Sequence, residues 1–301
     1  MSSGTAINRT YIDLPSDISG EILQKAQAAS AVMRLARKIT LPGNGVTIPV
    51  ISSDPTAAWV AETGVKPVSN PNISTKLMSA YKLAVIETFS DEFVRDVPAL
   101  YDALVARLPG ALAAVFDNTV IGGTVKPGTN FDNFASCTAQ SLIPDTGHTI
   151  YDGLVDADAD IASHGGILNG FAIGAAGRGL LMAAVDGTGR PLFVNSVAEG
   201  AIPLLLGAPV VMGKGIYVAG TAGTGGEPAV VGIAGDWSQA VYGTVEGVKI
   251  SFNDSGVVTV GTDTTINLWQ QNMIAVRAEI EIGFRADTDC FNLLTGAVPV
   301  S

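Results

Sequence analysis

From Ile73 to Phe89 every second residue falls on one face of an extended chain: Ile73, Thr75, Leu77, Ser79, Tyr81, Leu83, Val85, Glu87 and Phe89. Lys76, Met78, Lys82 and Ile86 fall on the other. Alternation of this kind marks a strand. A strand from 73 to 89 reaches roughly 55 Å at ~3.3 Å per residue, whereas strands inside globular domains mostly stop by about 10 residues. The segment must therefore bend or project. Upstream, Val46, Ile48 and Val50 alternate with Thr47 and Pro49, and residues 61–72 between the two runs are rich in turn formers. The pattern predicts a long two-stranded hairpin over residues 45–89. A lone hairpin is marginal in water, so it must lie on something. A neighbouring subunit is the natural support; a hairpin bent over its own domain is the plainer alternative.

The hairpin sits between helical segments. Pro15-Ser16-Asp17 offers a helix start, and Ile22, Leu23, Ala26, Ala29, Val32, Met33 and Leu35 follow at helical spacing up to Pro42-Gly43. After the hairpin, Ser90 with Asp91 and Glu92 suits a capped helix N-terminus, and Pro98 suits the first position of a restarted helix. Leu100, Leu104, Leu108, Leu112, Val115 and Phe116 make its apolar stripe. Pro109-Gly110 predicts a kink or break, and Gly122-Gly123 the end.

Residues 124–149 read as loop. A helix follows over Tyr151–Ser163, then a strand over Asn169–Ile173, a helix near Arg178–Val185, a turn at Asp186–Gly189 and a short strand over Pro209–Met212. A Gly-rich loop at 220–226 precedes strands at Ala229–Ala234, Val241–Val245, Val248–Asn253, Val257–Val260 and a long Met273–Ala286. The fold class expected is α+β.

Composition narrows the function. Charged residues are 15% of the chain, against ~25% in ordinary soluble domains. A chain this poor in charge suits extensive subunit contact, although a small-residue-rich globular domain has the same composition. The net charge of −11 disfavours a nucleic-acid reader with a broad basic face. The first 44 residues carry five basic and three acidic residues, which fits either an arm near DNA or a solvated helix face. Two distant cysteines, Cys137 and Cys290, do not make a disulfide framework and read as buried free thiols. The N-terminus has no apolar signal-like region, and the longest apolar run, Ala201–Met212, contains Pro203 and Pro209 and is too short to span a bilayer.

The motifs of chemistry are missing or incomplete. Gly174–Gly179 has the glycines of a phosphate loop without dinucleotide spacing, and Gly213-Lys214-Gly215 lacks the following Ser or Thr. Asp156, Asp158 and Asp160 alternate, but Ile161 stands where a calcium loop needs Gly. His148 and His164 are the only histidines, and neither lies in a recognisable motif. No metal and no cofactor is expected. A hydrolase using His148 or His164 among scattered residues is the rival reading from the enzyme class.

The order of elements resembles the tailed-phage major capsid proteins of the Hong Kong 97 type. The residues that carry the resemblance are Ile48-Pro49-Val50, Trp59-Val60-Ala61-Glu62 and Lys66-Pro67 in the hairpin; Ser90, Asp96, Pro98, Leu100, Asp117 and Gly122 in the helix; Gly207-Ala208-Pro209-Val210; and Gly235-Asp236-Trp237-Ser238, Arg277-Ala278-Glu279 and Gly283-Phe284 in the return. The resemblance implies an N-terminal arm (1–44), an extended hairpin loop (45–89), a spine helix with the first part of a peripheral domain (90–149), an axial domain (150–228) and return strands of both domains (229–301).

It further implies hexamers and pentamers closing into an icosahedral shell around double-stranded DNA contacted non-specifically, with portal, separate scaffolding and decoration proteins as partners and no membrane. The expected location is the virion capsid, with assembly in the host cytoplasm. Only 44 residues precede the hairpin, so no fused scaffold is expected. Trp59, Glu62, Lys66 and Pro67 are the expected intersubunit contacts. The resemblance also suggests an autocatalytic crosslink, Lys66 to a neighbour's Asn272 with Glu279 as base; an ordinary ion pair of Lys66 is the alternative. A nanocompartment shell of the same fold, and a tail-tube protein, are the other readings.

Overall fold

The computed structural model describes residues 16–43, 45–51, 59–60, 73–94, 97–143, 148–186, 188–193, 204–221, 227–245, 247–260 and 264–296. The chain begins with α1 (Ser16–Ala29), α2 (Ala31–Leu35) and strand β1 (Arg37–Thr40), followed by β2 (Val46–Ile51), β3 (Ile73–Met78) and β4 (Tyr81–Ser90). Two helices come next, α3 (Asp91–Val94) and α4 (Val97–Ile121), then β5 (Thr138–Ser141), α5 (Ile150–Ser163), β6 (Gly170–Ile173) and α6 (Ala175–Ala183). The remainder is β-structure: β7 (Leu204–Leu205), β8 (Ala208–Met212), β9 (Ala229–Gly235), β10 (Ala240–Thr244), β11 (Lys249–Asn253), β12 (Val257–Val260), β13 (Thr264–Asn267), β14 (Met273–Ala286) and β15 (Phe291–Gly296).

Strand β14 organises one sheet. It pairs antiparallel with β4 over residues 273–282, with β11 over 275–279 and with β10 over 282–286, and β1 adds parallel to β10. Val276, Ala278 and Ile280 point from β14 into a core completed by Leu104, Leu108 and Leu112 of α4 and Ile22 of α1. Each such leucine is essentially fully buried and stabilises the fold by about 2 kcal/mol. The second sheet has the order β5-β15-β9-β6-β8-β7. Leu154 and Ile161 of α5 and Leu181 of α6 bury against its Phe171, Val231 and Leu294. An aromatic cluster of Phe116, Phe131, Phe134, Trp237, Phe284 and Phe291 joins the two sheets. Its tightest pair, Phe134 and Phe291, stacks with ring centroids 4.5 Å apart.

The hairpin root is present, since β2 pairs antiparallel with β3 from Val46↔Met78 to Ile51↔Ile73. The alternation of 73–89, however, is not one strand: it breaks at Ser79-Ala80. Met78 is fully buried and Leu77 exposed, whereas in β4 the odd-numbered Tyr81, Leu83 and Val85 are the covered residues. The bend shifts the phase by one, so the inward face of β3 is the even one. Gly283 makes the bend possible, because a Cβ there would meet the Ser79 carbonyl oxygen at 2.7 Å.

Other expectations need correction. The N-terminal helix does not run unbroken to Leu35. It stops at Ala29, and Ser30 starts α2 by accepting from the Met33 N–H at 3.1 Å. Strand β1 lies within what reads as an arm; it is held by backbone pairing to β10, which its own short sequence does not announce. Of the kink or break expected at Pro109 the break does not occur: α4 is one helix from Val97 to Ile121, and Leu108 and Leu112 on either side are held in the core. Val115 is 47% exposed and does not belong to the apolar stripe. The Gly-rich stretch 174–179 is the N-cap and first turns of α6. Strands β5, β13 and β15 have no counterpart in the sequence pattern, being short or lacking clean alternation.

Candidate assembly interface

The hairpin is clamped to the body by one arginine. Arg285, next to the end of β14, donates from Nη1 to Asp132 Oδ1 at 2.7 Å, from Nη2 to Asn130 Oδ1 at 3.2 Å, and from Nε and Nη2 to the Leu77 carbonyl oxygen at 2.9 and 2.5 Å. Leu77 lies beside the bend, where the chain passes from β3 toward β4. The guanidinium fork therefore fixes the strand that leaves the body, and its ion pair with Asp132 is largely buried. Lys76 Nζ adds a bond to the Ala286 carbonyl oxygen at 3.1 Å.

Beyond the root, Trp59 is fully exposed and Val60 is exposed too. Glu62, Lys66 and Pro67 lie outside the described residues. Asn272 ends the turn before β14 at φ +47°, and its carbonyl accepts from the Asp91 N–H at 2.8 Å. Asn tolerates that left-handed conformation better than most residues, which is a local reason for its presence. Glu279 Oε1 lies 3.1 Å from Arg277 Nε. Seven residues separate Asn272 and Glu279 along extended chain, roughly 23 Å at ~3.3 Å per residue, so one subunit does not bring them together.

A second junction, which motif reading could only flag through Asp117, locks the N-terminal helices down. Asp117 of α4 is completely buried. Its carboxylate accepts from Ser30 Oγ at 2.5 Å, from the Ala31 N–H at 2.9 Å and from the Val32 N–H at 3.3 Å. It thus covers the N-terminus of α2, where free N–H groups favour negative charge. Burial still outweighs these bonds and pushes its pKa up to about 6. In the second sheet, Asp236 accepts from Asn169 Nδ2 at 2.7 Å and from Ser238 Oγ at 2.6 Å, while Trp237 Nε1 donates to the Gly170 carbonyl at 2.9 Å.

Groups that could have carried catalysis do not converge. His148 and His164 flank opposite ends of α5, roughly 24 Å apart at 1.5 Å per residue. His148 faces Asp152 at 3.7 Å, and His164 Nδ1 lies 2.9 Å from the Asp160 carbonyl oxygen. Asp186 accepts from the Thr188 and Arg190 N–H groups in its own turn, which holds its carboxyl below the ordinary range. Cys137 and Cys290 are free. Burial, reinforced by Asp289, pushes Cys137 up to about 12, and burial raises Cys290 as well. Neither is an activated thiol. Among the described residues no cluster of His, Cys, Asp or Glu could hold a metal ion, and no helix is long and apolar enough to cross a membrane.

Among the described residues, a hairpin root held by a largely buried clamp, an exposed tryptophan and no converging catalytic groups fit a protein that works by packing against others. The model of the phage capsid family matches residues 13–288. The probable major capsid protein gp17 of Mycobacterium phage L5 is 33% identical over 90% of this chain and 85% of its own length. The major capsid protein of Staphylococcus phage 80alpha is 25% identical over 94% and 85%. The solved structure from Microbacterium phage Oxtober96 has a TM-score of 0.67 at 23% identity, covering 89% of this chain and 91% of that one. The capsid of an empty GTA particle computed with C5 symmetry has a TM-score of 0.63 at 14% identity, covering 99% and 94%. The chain belongs to the phage capsid family. It is a major capsid protein, a structural component of the phage head shell and not an enzyme, which sets the hydrolase reading aside.

Proposed function

We propose that this subunit forms the hexamers and pentamers of an icosahedral shell enclosing double-stranded DNA, and that the β2–β3 hairpin is the element with which each copy grips the next. The observation that carries this reading is the hairpin root, clamped by Arg285 while Trp59 further along has no cover from its own chain. On this reading residues 1–44 are the arm, 45–89 the extended loop, 90–149 the spine and first peripheral part, 150–228 the axial domain and 229–301 the return. Trp59, Glu62, Lys66 and Pro67 meet the neighbour. Portal, separate scaffolding and decoration proteins complete the head, and the net charge of −11 keeps the shell from clamping its DNA.

The same hairpin supplies the proposed crosslink. A neutral Lys66 amine attacks the Asn272 carboxamide carbon and a new C–N bond forms; Glu279 takes the amine proton and passes it to the amide nitrogen, whose bond to that carbon breaks, and ammonia leaves. Because Asn272 and Glu279 are far apart on one strand, the base must come from a different copy than the asparagine. Negative-stain microscopy of the purified protein beside a denaturing gel tests both parts. Closed shells or rings are expected; a monomer at high concentration in every salt condition contradicts the assembly reading. A ladder of boiled multimers that vanishes in Lys66→Ala supports the crosslink, and a single band in assembled shells rules it out.

A further inference from the structure

A groove of about 670 Å³ runs between α1, α4, the first residue of α6 and the end of β8. Its walls are small and apolar, with Ala28, Ala106, Pro109 and Gly110 among them, and among the described lining residues the charged ones are Lys25 and Lys214. Lys25 pairs with Glu21 one helical turn away, at half-exposed positions, where such a pair contributes little. Pro109 and Gly110 leave this stretch of the α4 wall without a long side chain.

The hairpin has complementary features. Residues 52–62 contain Asp54 and Glu62 and no basic residue. Between them stands Trp59, fully exposed, a side chain that contributes strongly when its ring is buried and its N–H bonded. We propose that Trp59 of one subunit seats in the α1–α4 groove of a neighbouring copy, its flanking carboxylates facing Lys25 and Lys214. This rests on the hairpin being the gripping element and names the surface it grips. The indole fills the alanine-walled space.

Gly110 provides the test. A Cβ built there meets nothing within 4 Å, and Leu is a better helix former than Gly, so Gly110→Leu leaves the subunit folded while its side chain fills the groove. Shell yield is expected to fall at least tenfold, with circular dichroism and thermal unfolding of the free subunit unimpaired. Gly110→Ala keeps most of the space and assembles. Wild-type assembly of Gly110→Leu overturns the proposal. In parallel, benzoylphenylalanine replaces Trp59 in shells mixed from isotopically light and heavy subunits. Photocrosslinks from one copy to residues 106–114 or 212–214 of another support the docking. Crosslinks to another copy elsewhere overturn the groove and spare the gripping hairpin. Crosslinks confined to the same chain, or none in assembled shells, overturn both.

Discussion

Asp117→Asn keeps the shape of the buried carboxylate that holds α2 and removes its charge. In the folded subunit the pKa of Asp117 is raised from 3.8 to about 6, so the native state binds the proton more tightly than the unfolded chain. The stability this group contributes is therefore fully present below pH 3.8 and is lost as pH rises through about 6. A shift of this size corresponds to about 3 kcal/mol at 1.36 kcal/mol per unit, of which about 2 kcal/mol falls between pH 4 and pH 7.

The amide introduced by this substitution does not titrate, but it turns an NH2 toward one of the donors that the carboxylate served: Ser30 Oγ, the Ala31 N–H or the Val32 N–H. That mismatch costs about 1–3 kcal/mol at any pH. The variant should be clearly destabilised at pH 4 and close to wild type at pH 7. The difference between the two proteins should shrink by about 2 kcal/mol across that range. Urea titration of the unassembled subunit measures it, with the buried Trp237 as fluorophore in a Trp59→Phe/Trp269→Phe background. Parallel pH profiles for wild type and Asp117→Asn would refute the assignment of a raised pKa to Asp117.

Two further substitutions probe the scaffold. Arg285→Ala strands the largely buried Asp132 carboxylate and the Leu77 carbonyl and should cost about 2–4 kcal/mol in the same urea assay; Arg285→Lys should recover only part of this, lacking the planar fork. Leu206 holds φ +48° in the turn between β7 and β8, followed by Gly207 at +81°, the pattern of a tight hairpin turn that prefers Asn-Gly. Leu206→Asn should therefore stabilise the subunit by about 1 kcal/mol, seen as a rise in Tm; a fall would mean that the 41% exposed leucine contributes packing that outweighs the strain.

The parts of the fold visible in the sequence are those whose signal is local. Helix α5 is legible to within one residue because Thr149 and Asp152 form a capping box at its start and its apolar positions repeat cleanly. Strand β14 is legible to the residue through fourteen uninterrupted residues of strand character. The failures share a cause, which is tertiary contact overriding local preference. Pro109 reads as a kink or break, yet α4 is not broken there, with Leu108 and Leu112 held in the core on either side. Ser79-Ala80 looks like two more steps of an alternating strand, and only the glycine two hundred residues later in sequence explains the bend. The short β1 and β5 owe their extended form to parallel partners at residues 241–244 and 292–295. At the candidate interface, Trp59 falls in the segment that the alternating pattern marks as a hairpin, and it is fully exposed. The Arg285 clamp has no such local signal, because its partners Leu77, Asn130 and Asp132 are scattered along the chain.

The pairing of the sheets also imposes a schedule on synthesis. Strand β1 docks on β10, β4 on β14 and β5 on β15, so each of these early strands waits for a partner made after residue 239. A nascent chain that has emerged only as far as β9 has no β14 to receive its hairpin root and no Arg285 to fix it. Such long-range closure slows folding. A chain that stops before β14 lacks both β14 and β15, so it completes neither sheet and leaves the Arg285 clamp of the hairpin root unmade.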